Sequence, residues 1–204
     1  VELIGSESRL HTIDEILTVT TKPLIVDGDT GGESDAFRYL VQRLERRGVS
    51  AVIIEDKVFP KRNSLDSDAE QHLENPSVFA EKIAAGKEAQ VTLDFMVIAR
   101  LESLIAGQTL QDAFNRAEVY IRAGADGIMI HDKGVTPNNI LAFAESFDAL
   151  CDRVGRRPIL VSVPTTYNSI TDQQLVDAGF HIVIHANHLM RASHKAMQQV
   201  AELI

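Results

Sequence analysis

Cysteine is almost absent from this chain: Cys151 is the single one among 204 residues. That excludes an intrachain disulfide and a thiolate metal cluster, and it fits a reducing, cytoplasmic setting. Cys151 falls in a segment of helical pattern and reads as a packing residue. Clustered basic residues are scarce too. The chain carries 20 Lys and Arg against 29 Asp and Glu, a net charge of −9. Nucleic acid is therefore not expected as a partner, because phosphate backbones require grouped cations. No apolar run approaches the roughly 18 residues of a membrane span, so no membrane partner is expected either. The opening VELIGSESRL has no basic stretch ahead of an apolar one, and a secretory leader is not expected. There is no linker-like stretch. Hydrophobic residues make up 45% and charged residues 24%, which suits one globular domain over residues 1–204.

What is present is a rhythm. Short apolar runs recur at residues 24–26, 51–54, 95–99, 127–130, 159–163 and 182–184. They are rich in β-branched residues and do not alternate with polar ones, the pattern of strands buried on both faces of a parallel sheet. Amphipathic stretches separate them. Phe37, Leu40, Val41 and Leu44 share a helical face before Gly48; Ala113, Ala117, Tyr120 and Ile121 do so before Gly124. Pro137 is placed to open a third helix, Thr171 a fourth, and residues 189–203 form the last. Strands alternating with helices predict an α/β fold with a parallel sheet, either a barrel or an open doubly wound sheet. The longest stretch without periodicity, residues 56–75, is of the length usually reserved for functional loops.

Polar residues gather just after each apolar run: Asp27 and Asp29, Glu55 to Lys57, Arg100 and Glu102, His131 to Lys133, Thr165, then Asn187 and His188. The carboxyl ends of parallel strands build the active site in such folds. Asp27, Asp29 and Glu55 are oxygen donors suited to a hard cation such as Mg²⁺. Their other reading is a Gly-rich turn in which Asp satisfies backbone N–H groups. Arg100 leaves an apolar strand, so it clamps an anion, pairs with Glu102 or Glu55, or does both. His131 has two open readings, a donor to substrate or a group that completes the strand mouth. His181, His185, His188 and His194 lack zinc spacing and read as structural.

The run Glu55-Asp56-Lys57-Val58-Phe59-Pro60-Lys61-Arg62-Asn63-Ser64 resembles the signature loop of the phosphoenolpyruvate mutase family, part of the isocitrate lyase superfamily. The similarity extends through KPLIVDGDTGG, FMVIARLESLIAG, AGADGIMIH, VPTTYN and ANHLMRAS. It implies a (β/α)₈ TIM-type barrel, of which this chain carries strands three to eight and lacks the first two. It implies Mg²⁺ held directly by Asp27, with Asp29 and Glu55 holding its waters. Arg100 and His131 would contact the substrate, and Lys61, Asn63 and Ser64 would ride on a closing lid. The implied reaction interconverts phosphoenolpyruvate and phosphonopyruvate, with equilibrium on the phosphoenolpyruvate side, in a homo-oligomer (dimer or tetramer). Phosphonopyruvate hydrolase is a sister activity that differs at the position of Asn63. Carbon–carbon lyases of the superfamily place a cysteine in a K-x-C-G-H loop after the Glu55 strand, and this chain has none there.

Overall fold

Ala51, Val52, Ile53, Ile54 and Glu55 are all buried, as an apolar run between two layers of side chains requires. This is the second of six strands in the computed structural model, which describes residues 5–66 and 68–204, the side chain of Ser6 excepted. The order is α1 (Ser6–Val19), β1 (Ile25–Asp27), α2 (Ser34–Glu45), β2 (Ala51–Glu55), α3 (Pro76–Ala89), β3 (Met96–Leu101), α4 (Leu110–Arg122), β4 (Gly127–Ile130), α5 (Asn138–Val154), β5 (Ile159–Ser162), α6 (Asp172–Asp177), β6 (Ile182–Val183) and α7 (His188–Ala201). Every adjacent pair of strands is parallel, and the spatial order is the chain order, β1 to β6.

That order decides between the two architectures left open by the pattern. A doubly wound sheet reverses its strand order and carries helices on both faces. Here the order never reverses. Alternate strand residues divide into two sets. Val52, Ile54, Val97, Ala99, Ile128 and Leu160 pack with helical residues such as Phe37, Phe79, Tyr120 and Phe143 in one large core. Ala51, Ile53, Ile98, Met129, Val161 and Val163 form a second cluster with Ile25, Ile159, Ile182 and Ile184, all from the sheet or its strand ends. Ile25 and Asp27 of β1 line the same cavity as Ile184, Ala186 and Asn187 after β6, so the sheet curls on itself. The described sheet is an arc of a TIM-type α/β barrel.

The helices start where side chains can cap them. Thr109 Oγ1 accepts from Asp112 N at 3.1 Å, Asn75 Oδ1 from Ser77 N at 2.9 Å, and Thr171 with Gln174 makes a capping box. Such a cap stabilises by about 1 kcal/mol. Pro137 sits one position earlier than expected: its carbonyl accepts the first helical bond of α5, from Leu141 N at 2.9 Å, so it is the cap and not the first helical residue. Helix α1 was not among the expected elements; Leu10 and Ile13 on it are buried and Leu17 packs beside them.

Candidate active site

The site follows from register. Glu55 on β2 is the Cα partner of Arg100 on β3, and Arg100 is the partner of Met129 on β4. Side chains alternate along a strand, so Asp27, Glu55, Arg100, Glu102 and His131 share the interior-facing parity of Ile25, Ile53, Ile98 and Met129. They form the last polar layer above an apolar interior. Above them opens a cavity of about 460 Å³ whose lining includes Asp27, Lys61, Asn63, Ser64, Arg100, His131, Thr165 and Asn187.

Glu102 is the hub of this layer. Its Oε1 accepts from Arg100 Nε at 2.5 Å and lies 2.7 Å from His131 Nδ1. Its Oε2 accepts from Ser64 Oγ at 2.6 Å and stands 2.9 Å from Lys57 Nζ. Burial disfavours its charge, but Arg100, His131 and Lys57 outweigh that and hold the carboxyl well below the usual range. Arg100 therefore does pair internally, with Glu102 and also with Glu55 Oε2 at 3.3 Å, while still facing the cavity. Its Nη2 reaches Ser64 Oγ and His131 Nδ1, each at 2.9 Å. Burial, then the charge of Arg100, pushes the His131 pKa down, so the imidazole is neutral at neutral pH. Nδ1 cannot accept from Arg100 and donate to Glu102 at once; the charge-assisted bond to the carboxylate is the stronger.

Three carboxylates stand at one side of the cavity. Asp27 lines it, and its Oδ1 accepts from Asp29 N at 2.9 Å, so the turn reading of that aspartate is met as well. Asp29 is buried and takes φ +55° in the tight turn. Its carboxylate pairs with Arg9 of α1 and with Lys61 Nζ at 2.8 Å. Burial raises its pKa, but Lys61 and Arg9 more than offset that and lower it. Glu55 differs. It is 1% exposed, and neither of its oxygens has a hydrogen bond, although Lys61 Nζ and Arg100 Nη1 each stand 3.3 Å from Oε2. Burial is the main cause that raises its pKa.

Among the described residues, no three His, Cys, Asp or Glu side chains converge into a ready coordination cluster. The donors fit instead a hard cation held largely through water, which takes one or two direct carboxylates. Asp27 opens to the cavity, Glu55 has unsatisfied oxygens behind it, and the Lys61 ammonium already bridges Asp29 and Glu55.

The described residues between 56 and 75 form a flap across this site. Lys57 and Leu73 make an antiparallel bridge at its base, and Val58 N donates to His72 O at 3.0 Å. Asn63 Oδ1 accepts from Leu65 N at 2.9 Å, and its backbone carbonyl accepts from Gln71 Nε2 at 2.9 Å. The side-chain oxygen is thus committed to the turn, and the amide N–H groups remain for an anion in the cavity. Ser64 was expected on the lid beside the substrate. It lines the cavity, but its hydroxyl is saturated by Lys57, Arg100 and Glu102. It fastens the flap to the hub.

Sequence reasoning set Lys57 and Asp56 among the polar residues after the second strand without giving either a role, and it missed Arg9 and Arg116. Lys57, 2% exposed, bonds Ser64 Oγ at 2.6 Å and the Arg62 carbonyl at 3.0 Å. Arg9 lies on the helix that was not read. Asp56 and Arg116 pair beneath the flap at 3.2 Å. Asp56 is fully buried; burial lifts its pKa to about 6, against the pull of Arg116. Exchanging Asp56→Asn removes the buried counter-charge of Arg116 and leaves the guanidinium only Asp112, 2.9 Å away. It is expected to destabilise the fold by about 3 kcal/mol, the usual cost of breaking a buried pair from one side. Urea unfolding with intrinsic fluorescence checks this, and a change below about 1 kcal/mol would contradict it.

The family model described as phosphoenolpyruvate phosphomutase matches residues 1–204, the whole chain. The chain belongs to the phosphoenolpyruvate phosphomutase family. It is 42% identical over 202 residues to the phosphoenolpyruvate phosphomutase of Tetrahymena pyriformis, covering 98% of this chain and 65% of that protein. The crystal structure of phosphoenolpyruvate phosphomutase from Streptomyces platensis subsp. rosaceus superposes with a TM-score of 0.91 at 38% identity, over 100% of this chain and 68% of that one. A phosphonopyruvate hydrolase in complex with oxalate and Mg²⁺ follows with a TM-score of 0.87 at 36% identity, over 100% and 68%. The chain spans 56% to 67% of the length of the first curated relatives it matches.

Proposed function

We propose that this chain interconverts phosphoenolpyruvate and phosphonopyruvate, with Mg²⁺ as cofactor. The observation that carries the reading is the flap: its Asn63 lines the same cavity as Arg100 and His131, with its side-chain oxygen held by Leu65 N and no hydrogen bond from its amide N–H groups among the described residues. Asp27 would hold the metal directly, with Asp29 and Glu55 orienting its waters. When bound, Mg²⁺ supplies Lewis-acid stabilisation to the enolate oxygen of pyruvate.

In the forward sense for phosphonopyruvate, the P–C bond breaks and its electron pair stays on the pyruvate C3 as an enolate. The enolate oxygen then takes the phosphoryl group, forming the P–O bond of phosphoenolpyruvate. The phosphoryl group is loosely bonded midway, so catalysis rests on holding both fragments and on charge. Arg100 has donors fixed by Glu102 and Ser64 and can meet phosphoryl or carboxylate oxygens without reorganising. Asn63 donates to phosphoryl oxygens and cannot act as a base towards water. His131 holds its Nδ1 proton on Glu102, and an anion in the cavity draws a second proton onto Nε2, which then donates. Lys61 ties the closed flap to Asp29 and Glu55.

The partner is the small substrate, and a homo-oligomer is part of the proposal. Helix α7 buries none of its residues, and Leu189, Met190, Met197 and Val200 are exposed along it. Such an apolar surface suits another subunit. A cytoplasmic setting fits the lone, buried Cys151; no described helix is long and apolar enough to cross a membrane.

Incubation with phosphonopyruvate and Mg²⁺, followed by phosphorus NMR, tests the reading. A phosphoenolpyruvate resonance is expected. Inorganic phosphate with pyruvate would assign the hydrolase instead. Asn63→Ala is expected to lower kcat by about a hundredfold, as for loss of one preorganised donor. A kcat within about threefold of the parent in steady-state assays would remove Asn63 from the reacting centre.

A further inference from the structure

The flap that covers the cavity has two feet, and one side chain outside the barrel holds both. Arg116 belongs to α4, on the outer face of the sheet, and is 8% exposed. Its Nη1 donates to Asp56 Oδ2 at 3.2 Å, where the flap leaves β2, and to the Glu74 carbonyl at 2.9 Å, where the flap rejoins the chain ahead of α3. Its Nε donates to Asp112 Oδ2 at 2.9 Å, and that oxygen also accepts from Ser103 Oγ at 2.8 Å. Tyr120 OH donates to Asp56 Oδ2 at 2.8 Å. Asp56 Oδ1 in turn accepts from Glu102 N at 2.8 Å. The clamp thus reaches the backbone of the carboxylate that orients Arg100 and His131, without touching the cavity.

We infer that Arg116 is a positioning residue that keeps the flap seated and so excludes water from phosphoryl transfer. The inference rests on the mutase reading above. Arg116 has the geometry for it: Nη1 bonds both feet while Nε, fixed in the same plane, bonds Asp112 of its own helix, a spread that one ammonium centre does not span. A flap loosened at its feet displaces Asn63 and Lys61 together and admits solvent. The cleaved phosphoryl group then meets water instead of the enolate oxygen. The P–C bond breaks with its electron pair on C3, water oxygen bonds phosphorus, and one water proton ends on C3. The products are phosphate and pyruvate.

The test measures a partition, which a reduced folded fraction does not change. Phosphonopyruvate and Mg²⁺ are supplied to the parent chain, Arg116→Met, Arg116→Lys and Tyr120→Phe, and phosphorus NMR gives phosphate against phosphoenolpyruvate. In Arg116→Met the ratio is expected to rise about tenfold, equal to about 1.4 kcal/mol between the two competing barriers. Arg116→Lys is expected to restore only part of the parent ratio. Tyr120→Phe keeps the ring that packs on Phe79 and is expected to give a smaller rise, so the inference stays testable if Arg116→Met folds poorly. A ratio unchanged in both Arg116→Met and Tyr120→Phe, or unchanged in Tyr120→Phe when Arg116→Met is insoluble, overturns it. A parent chain that itself yields phosphate and pyruvate overturns the mutase reading, and this inference with it.

Discussion

Arg100→Met is expected to lower turnover of phosphonopyruvate by about a thousandfold, the upper end of what one preorganised donor contributes. The reason is that Arg100 has two tasks. Its guanidinium faces the cavity while bonding Glu102 at 2.5 Å, Ser64 at 2.9 Å and, through a 3.3 Å ion pair, Glu55. Methionine fills similar volume but leaves Glu55, already without a hydrogen bond, short of one of its two 3.3 Å cations. Stability should fall too, by about 3 kcal/mol, because removal of one member of a buried charge cluster strands the others. Arg100→Lys should rescue little: a single ammonium cannot serve Glu55, Glu102 and an anion from fixed directions. Steady-state kinetics beside urea unfolding separates the two effects. Near-parental kcat/KM in Arg100→Met would show that the guanidinium only closes the strand mouth.

Asp27→Asn should act on the metal and spare the fold. Asparagine retains a side-chain oxygen for Asp29 N, so the turn that Asp27 Oδ1 now holds at 2.9 Å persists. What it loses is the negative charge that opens on the cavity. Even outer-shell partners of a metal are worth tenfold to a hundredfold in affinity, so a direct carboxylate should cost about a hundredfold or more. Calorimetric titration with Mg²⁺ reads this without turnover. Turnover itself should collapse in Asp27→Asn, and likewise in the parent chain when Mg²⁺ is chelated. Unchanged Mg²⁺ affinity in this variant would place the cation elsewhere.

Much of this arrangement was legible because it depends on local pattern. Apolar runs marked all six described strands to within two residues, and the polar residues after them marked the strand ends that border the cavity. The aperiodic stretch 56–75 proved to be the flap, bounded by the cap at Asn75. The resemblance in the flap sequence then placed Lys61 and Asn63 at the cavity. What stayed hidden depends on register and long-range pairing. Glu102 and Ser64 are 38 residues apart, and Arg116 and Asp56 are 60 apart. No spacing rule links such positions, since neither partner differs in type from an ordinary surface charge or hydroxyl until the strands align. Arg9 was missed for a different reason. Helix α1 begins after Gly5, which offers no side-chain cap. Its Leu10, Ile13, Leu17 spacing was signal enough to find it.

In the proposed reaction the phosphoryl group never meets solvent between carbon and oxygen. Turnover of phosphonopyruvate in water enriched in the heavy oxygen isotope tests this most directly, because the isotope shifts phosphorus resonances. Phosphoenolpyruvate whose phosphoryl oxygens carry no label is expected. Labelled inorganic phosphate as the main product, with pyruvate, would contradict it.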